Sequence, residues 1–423
     1  MVSLSALAKI DPELFGYFEK EMEHQHSSLS FIPDENTTSP LCAAIMGNVL
    51  INSVSKVSYN RSEGLEAMTS KRICELFGAE YANLRTLNIE AASRVVFQAL
   101  TNRGDVVMSL DLRKKEHCNS ENLVFRFINF GIDPKTQELD YADIEKKAKA
   151  NRPHLIILSP VNYPRDLDYA RLSEIAKGCG AILWCDISQT AGLIASHALS
   201  SPFPYADVVT FTVQGAMQGP QCAVILTRRE YGGLIDRAVN TSGHRGLLTA
   251  QLAALSARIH EMSAPLYADY GKAVLENARA LEKGLKAAGM HVIGPETQSH
   301  FVMVNMQDSA LSARGAQELL SDCNVEVRYA QVETSRPDVK FDSVRFSVLS
   351  ATTRGVKTQD FEKIGQTIGR YLLNPDDEHA EELRSQVARL TATLPFFGRK
   401  WLPEGVSLSE AEIASLSYSG FKR

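Results

Sequence analysis

Five short apolar runs limit the fold of this chain more than any other feature. They are DVVMSL, HLIILS, AILWCD, DVVTFT and QCAVILT, at residues 105–110, 154–159, 181–186, 207–212 and 221–227. Continuous apolar runs of this length are typical of strands that are buried on both faces. Helical patterns lie among them, at residues 143–150 and 172–177. This alternation predicts an α/β domain with a mainly parallel sheet covered by helices.

The remaining patterns predict two further parts of the chain. Asp11 followed by Pro12 is typical of a helix start, and we expect an N-terminal helical arm over residues 1–45. The large α/β domain would span 46–275. Shorter strand and helix patterns predict a smaller α+β domain over 276–423. The predicted strands are at 291–294, 299–306, 325–330 and 343–348, and the helices at 313–323, 358–373 and 381–394.

Composition excludes several classes of function. The formal net charge is −5 and there is no long basic block, so a nucleic-acid partner is not expected. No apolar run is long enough to predict a membrane span. The seven cysteines form no CxxC pair, which indicates a reducing compartment, and we expect a cytoplasmic protein.

The sequence contains no stand-alone catalytic motif. HExxH, GxSxG and Walker patterns are absent, and no metal site is predicted. Ligands of parallel sheets bind at the carboxyl ends of the strands. Asp186, the last residue of AILWCD, is placed at such an end by this argument alone.

Several segments resemble the serine hydroxymethyltransferases in order and spacing, from about Asp11 to Ala388. They are DENTTSP at 34–40, ELFGAEYAN at 75–83, GID at 131–133, DYADIE at 140–145, the aspartate strand at 182–193 and SVR at 343–345. The resemblance implies the fold type I, aminotransferase-like architecture, with a mainly parallel seven-stranded sheet and a smaller α+β domain. It also implies a homodimer with its sites at the subunit interface.

The resemblance fails at the residue that carries the family's cofactor. The family attaches pyridoxal phosphate to a lysine in a His-Lys pair, and the matching pair here is Gln214-Gly215. No lysine occurs between Lys177 and Lys272. A Schiff base needs a primary amine. We therefore expect no covalently bound cofactor.

Other departures lie at neighbouring positions of the implied site. The family's phosphate-binding Ser-Gly-Ser is replaced by Asn88-Ile89-Glu90. A carboxylate there repels a phosphate that a helix N-terminus would otherwise attract. Gln189 replaces a family histidine. On these grounds we expect that pyridoxal phosphate is not used.

The resemblance also identifies candidate site residues that survive. Asp186 and His117 would be catalytic, together with Lys56, which stands where the family has a glutamate. Each has a simpler interpretation: Asp186 as a strand-end cap, His117 as a structural histidine and Lys56 as a solvated loop residue.

Four further residues are predicted to bind substrate. Arg345 matches the arginine that holds the amino-acid carboxylate, and Tyr163 matches a tyrosine near the cofactor. Asp34 begins the DENTTSP segment, and His244 lies in the remnant of a glycine-rich turn. Tyr163 could instead serve packing, and His244 could be an ordinary loop residue.

Three functional hypotheses follow. The first is a hydroxymethyl or one-carbon transferase that works without pyridoxal phosphate on a small, carboxylate-bearing acceptor, with tetrahydrofolate open as the donor. The second is an inactive structural or regulatory subunit, in a hetero-oligomer with an active paralogue. The third is a non-covalent binder of pyridoxal phosphate or an amino acid. We favour the first, because Arg345 and Asp186 are retained.

Overall fold

A seven-stranded sheet forms the centre of the first half of the chain in the computed structural model. The structure describes residues 4–52, 62–110, 125–242, 248–307, 309–336 and 338–403. The strands of these residues are β1 (Leu29–Ser30), β2 (Tyr81–Thr86), β3 (Val106–Leu110), β4 (Arg126–Phe130), β5 (Leu155–Leu158), β6 (Ile182–Asp186), β7 (Val208–Thr212), β8 (Ala223–Thr227), β9 (Phe301–Asn305), β10 (Val325–Glu326), β11 (Arg328–Glu333) and β12 (Lys340–Ser347).

The helices of the described residues cover both faces of this sheet and build most of the C-terminal half. They are α1 (Leu4–Ile10), α2 (Pro12–Ser27), α3 (Pro40–Met46), α4 (Ser62–Phe77), α5 (Ile89–Leu100), α6 (Tyr141–Asn151), α7 (Tyr169–Cys179), α8 (Ala191–Ala195), α9 (Arg229–Thr241), α10 (Thr249–Met262), α11 (Pro265–Ala287), α12 (Ala313–Ser321), α13 (Leu349–Arg354), α14 (Thr358–Leu373) and α15 (Asp377–Thr391).

The large sheet has the strand order β2-β8-β7-β6-β5-β3-β4. Of these seven strands, only β8 runs in the opposite direction to the others. All five apolar runs form strands within two residues of their predicted limits. The predicted fold class, a mainly parallel seven-stranded sheet with a smaller α+β part, is therefore confirmed.

Two strands of this sheet, β2 and β4, were not among the predicted runs. In β4, which lies at the sheet edge, three of the five residues are exposed. An edge strand covered on fewer sides needs fewer apolar residues, so it lacks the continuous apolar pattern of the central strands.

Side chains of the central strands alternate between two hydrophobic cores, one on each face of the sheet. On β6, Leu183 faces one core and Trp184 faces the other. The Trp184 ring meets Phe97 of α5 edge to face, with ring centroids 5.3 Å apart. Burial on both faces explains why these strands are apolar at most positions.

The C-terminal half contains a three-stranded antiparallel sheet of order β11-β12-β9. Residues 291–294, predicted as a strand, form only one bridge, between Val292 and Val304. The predicted domain limits at 45 and 275 stay predictions. The second limit falls within α11, which continues across it.

The N-terminal helix start is confirmed in detail. The Asp11 side chain accepts a hydrogen bond from Leu14 N at 3.0 Å, and Pro12 occupies the first turn. After α2, strand β1 pairs in parallel with β10, so the arm reaches the C-terminal half. None of the helices in the described ranges has the length and hydropathy that a membrane span requires.

Candidate active site

A cavity of about 410 Å³ lies at the carboxyl ends of β6 and β7, beside the N-terminus of α5. Its wall includes Asp34, Asn88, Asp186, Gln189, Gly215 and Arg345. This is the edge of a parallel sheet where ligands bind. Residues of the large sheet and of the three-stranded sheet therefore line one common space.

Asp186 is held as a hydrogen-bond acceptor at the end of β6. It is buried, and its Oδ1 accepts from Ser188 N at 2.9 Å and from Ser188 Oγ at 2.6 Å. Ser188 Oγ in turn accepts from Thr212 N at 3.2 Å. These bonds orient the carboxylate at the cavity.

Arg345 is a buried cation on β12 that lines the same cavity. The residue is only 3% exposed. Its Nη1 donates to Val161 O at 2.5 Å and to Asn162 Oδ1 at 3.3 Å. Its guanidinium carbon lies 5.5 Å from the ring centroid of Phe301. A buried cation needs an anionic partner, and Asp34 provides one in part, since its Oδ2 lies 3.7 Å from Nη2.

Asp34 lies at the mouth of the cavity, with 62% of its side chain exposed. Its Oδ1 accepts a hydrogen bond from Gln189 Nε2 at 2.5 Å. The glutamine that departs from the family pattern thus contacts one oxygen of Asp34, while Arg345 faces the other. Asp34 bridges a loop of the large sheet and a strand of the smaller one.

Gly215 adopts a left-handed conformation, with φ of 61°. A Cβ added at this position would lie 3.2 Å from the backbone oxygen of Asp34. The turn over residues 214–218 therefore suits glycine in both conformation and space.

Three successive carbonyl groups of this turn accept hydrogen bonds from side chains distant in sequence. Asn36 Nδ2 donates to Gly215 O at 3.1 Å, and Tyr267 OH donates to Ala216 O at 3.0 Å. Arg258 Nε donates to Met217 O at 2.6 Å. These residues were not identified from the sequence, since each contact depends on the tertiary fold.

Behind the turn, Arg258 belongs to a buried polar network. It pairs with Glu261 at 2.8 Å and donates to Gln218 Oε1 at 2.6 Å. Gln218 donates to Thr353 Oγ1 at 2.8 Å, and Ser39 donates to Glu261 at 2.9 Å. A sequence signal did exist: Arg258 and Glu261 are three residues apart and are the only Arg, Lys, Asp or Glu residues of helix α10.

A buried histidine lies behind Arg345. His300 Nδ1 is 2.9 Å from Ser347 Oγ. Burial and the Arg345 charge lower the pKa of His300 to about 3. The imidazole is therefore neutral around pH 7 and adds no positive charge to the Arg345 subsite.

The N-terminus of α5 forms another part of the wall. Asn88 caps this helix, its side chain accepting from Ala91 N at 2.8 Å, and Glu90 lies in the first turn. A carboxylate in the first turn interacts favourably with the helix dipole. Glu90 thus stabilises α5 while adding a negative charge to the cavity wall.

Four predicted site residues are not among the described residues that line this cavity. Tyr163 lies in the core, 6% exposed, and its hydroxyl accepts from Leu139 N at 3.2 Å. His117, Lys56 and His244 lie outside the residues that the structure describes. The roles proposed for all four stay predictions.

Comparisons with known proteins identify the family. A model of the family described as serine hydroxymethyltransferase matches residues 7–368. The chain belongs to the serine hydroxymethyltransferase family. A serine hydroxymethyltransferase of Polynucleobacter asymbioticus is 31% identical over 411 residues, which are 93% of this chain and 99% of that protein. One from a Cyanothece species is 32% identical over 413 residues, covering 93% of this chain and 97% of the relative.

The expectation that pyridoxal phosphate is not used is wrong. Serine hydroxymethyltransferases use this cofactor, and the family match extends over every described residue of the cavity wall. The departures at Glu90 and Gln189 do not outweigh that match. Serine hydroxymethyltransferases are also typically oligomeric, which is compatible with the expected homodimer.

The cavity fits the cofactor at some contacts and lacks one. Asp186 is an oriented carboxylate of the kind that pairs with a pyridine nitrogen, and Arg345 is a cation for a substrate carboxylate. Gly215 has no amine, and the described residues that line the cavity include no lysine. Within the described wall, the fit is therefore to a group held by non-covalent contacts.

Proposed function

We propose that this chain transfers a hydroxymethyl, one-carbon unit to or from a small compound whose carboxylate binds Arg345. Pyridoxal phosphate would be held in the same cavity by non-covalent contacts, with its ring nitrogen at Asp186. The proposal depends on one observation: a guanidinium that is 3% exposed lines a cavity of about 410 Å³ at the carboxyl ends of the strands.

The Arg345 guanidinium is suited to a carboxylate ligand for two reasons. It is planar and presents paired N–H donors that match the two oxygens of a carboxylate. It is also buried away from water, and an electrostatic contact is stronger in a buried site than at the surface. Val161 O and Asn162 Oδ1 hold Nη1 at 2.5 and 3.3 Å and so fix the orientation of the group.

Asp186 supports the cofactor contact. Bound pyridoxal phosphate supplies an electron sink for the negative charge that develops at a substrate carbon. Asp186 would keep the ring nitrogen protonated, because a carboxylate favours the charged form of a group beside it. Ser188 holds Asp186 in place through the two hydrogen bonds to Oδ1.

A second candidate function is that of a non-catalytic subunit, which pairs with an active relative. Gly215 favours it, because a protein amine normally forms the bond to the cofactor and glycine has none. A homodimer, a cytoplasmic location and tetrahydrofolate as the one-carbon donor complete the first proposal, and a hetero-oligomer belongs to the second.

Substitution of Arg345 tests the proposal. We expect Arg345→Gln to weaken binding of L-serine by about 30-fold, which corresponds to about 2 kcal/mol for a hydrogen bond to a charged group. Arg328→Gln is the matched control, since Arg328 lies opposite Arg345 in the strand register but is exposed. Isothermal titration calorimetry measures both variants.

Turnover separates the two functions with the same proteins. The transferase predicts serine-dependent one-carbon transfer to tetrahydrofolate when pyridoxal phosphate is added, retained in Arg328→Gln and lost in Arg345→Gln. Serine binding without any turnover favours the non-catalytic subunit. Equal serine affinity in Arg345→Gln and the unchanged protein would refute the role of Arg345.

A further inference from the structure

We propose that Thr353 is a positioning residue, which connects the cavity wall to the C-terminal segment at residues 395–401. Its hydroxyl fixes the turn at residues 214–218, part of which lines the cavity, and its backbone binds the C-terminal segment. Neither Thr353 nor this segment belongs to the cavity wall, so both act on a ligand through the turn. The inference rests on the proposed function, since it takes the cavity as the ligand site.

The Thr353 hydroxyl uses its full capacity for hydrogen bonds. It is buried, donates to Asn36 Oδ1 at 2.7 Å and accepts from Gln218 Nε2 at 2.8 Å. Tyr270 OH lies 2.8 Å from the same oxygen. A hydroxyl carries one hydrogen and two lone pairs, so Tyr270 is the donor of this third bond. Three bonds therefore fix the position of one buried oxygen.

Two of these bonds reach opposite ends of the turn. Asn36 Nδ2 donates to Gly215 O at 3.1 Å, near the start of the turn, and Gln218 is its last residue. Gln218 has a φ of 57°, in the left-handed region that residues with a side chain rarely adopt. Such a conformation persists where surrounding contacts hold it. The bond from Gln218 to Thr353 is one of these contacts.

The backbone of residues 352–353 binds the C-terminal segment. Gly398 N donates to Thr353 O at 2.8 Å, and Trp401 Nε1 donates to Thr352 O at 2.9 Å. The Trp401 ring meets Tyr270 edge to face, with ring centroids 5.1 Å apart. A Cβ added at Gly398 would lie 2.8 Å from Thr353 O, so the segment approaches α13 as closely as only glycine allows.

These contacts form a continuous path from the C-terminal segment to the cavity. The segment binds the Thr353 carbonyl, and the Thr353 hydroxyl binds Asn36 and Gln218. Residues 214–216 of the turn then line the cavity. Because a closely packed interior transmits displacement, a shift of the segment moves the turn as well.

Removal of the hydroxyl tests this connection. Thr353→Val keeps the shape of the side chain but leaves Asn36 and Gln218 without their partner. We expect amide hydrogen exchange of residues 215–219 to become about tenfold faster relative to β6, the change that about 1.4 kcal/mol for an unsatisfied buried group produces. Thr353→Ser retains the hydroxyl and should keep exchange close to that of the unchanged protein.

Thr391→Val is the matched control. Thr391 is also buried, but its hydroxyl donates within its own helix, to Val387 O at 3.0 Å and Ala388 O at 3.4 Å. This change should leave exchange in the turn unaltered. Gly398→Ala acts from the other end of the path, because the added Cβ pushes the segment away from Thr353 O. It should accelerate exchange in the turn as Thr353→Val does.

The affinity for L-serine, measured by isothermal titration calorimetry, relates the turn to the ligand site. Thr353→Val and Gly398→Ala should each weaken binding by about threefold or more, and Thr391→Val should not. Unaltered exchange in the turn overturns the inference, as does an equal rise in the turn and β6, which would mean a general loss of stability. Faster exchange in the turn with unchanged L-serine affinity overturns it too.

Failure of the proposed function gives a different result. If the unchanged protein does not bind L-serine, the ligand assigned to the cavity is wrong. Exchange in the turn then decides by itself whether Thr353 and the C-terminal segment position residues 214–218.

Discussion

Gly215 occupies a backbone conformation that other residues avoid. Its φ of 61° lies in the left-handed region, and an added Cβ would lie 3.2 Å from the Asp34 carbonyl oxygen, a tight contact. The residue that replaces the family's lysine is thus adapted to a local structure that disfavours any side chain.

Substitution of Gly215 should therefore destabilise the fold. We expect Gly215→Ala to lower the free energy of unfolding by about 1–2 kcal/mol, the cost of a left-handed conformation for a residue with a Cβ. Gly233→Ala is the control, because Gly233 lies within α9 with no heavy atom within 4 Å of an added Cβ. That control should gain about 0.5–1 kcal/mol. Urea denaturation measures both, and unchanged stability of Gly215→Ala would contradict the strain argument.

At the scale of elements, helix α10 fixes the turn through Arg258. This side chain is 5% exposed and donates to Met217 O, to Gln218 and to Glu261. A buried ion pair becomes costly when one member is removed, because the other charge stays buried without compensation. The turn and α10 are therefore coupled elements.

Breaking this pair should be far more costly than breaking a surface pair. We expect Arg258→Met to lower the free energy of unfolding by about 3–5 kcal/mol, and the double change Arg258→Met with Glu261→Leu to restore part of it. Lys272→Met removes a member of an exposed pair with Asp269 on α11 and should cost less than about 1 kcal/mol. Urea denaturation measures the free energy of unfolding of each variant. If Arg258→Met lowers it no more than Lys272→Met does, the buried pair is not more important for stability than the surface pair.

At the scale of the whole molecule, Arg354 joins the N-terminal arm to the segment that follows α15. It is buried and donates to Gln25 O at 3.0 Å, His26 O at 3.0 Å and Ser28 O at 2.7 Å, all at the end of α2. It also donates to Pro395 O at 3.2 Å. Burial lowers the pKa of Arg354 to about 10, which leaves it charged at neutral pH. The negative end of the α2 dipole stabilises this charge.

Removal of Arg354 should release the N-terminal arm. We expect Arg354→Met to lower the free energy of unfolding by about 2–4 kcal/mol, because buried carbonyl groups lose their donors. Amide hydrogen exchange in α2 should also become faster than in the large sheet. Arg389→Met, an exposed position on α15, is the control and should change neither property. Equal exchange protection of α2 in both variants would argue against the proposal that Arg354 holds the end of α2 in place.

The sequence predicts most of the fold and part of the candidate site. The five apolar runs form strands, and Asp11 caps α2, because these features depend on local patterns. The edge strand β4 lacks such a pattern. In the site, Asp186 follows from the strand pattern as well as from family resemblance, Arg345 follows from the resemblance, and both line the cavity. Tyr163, chosen in the same way, lies in the core. The contacts of Asn36 and Tyr267 with the turn could not be predicted, because no local pattern encodes a partner 179 or 51 residues away.

By itself, the sequence determined the alternation of strands and helices, the family resemblance and the absence of a lysine from the turn at residues 210–220. It also led to the wrong expectation about pyridoxal phosphate, because departures at single positions say less about the cofactor than the family match over residues 7–368 does. Only the tertiary structure decided that Asp34 faces Arg345 and that a Cβ at position 215 would lie 3.2 Å from the Asp34 carbonyl oxygen. The physical reason is that hydrophobic periodicity specifies which face of an element is buried, whereas contacts between side chains depend on how distant elements pack.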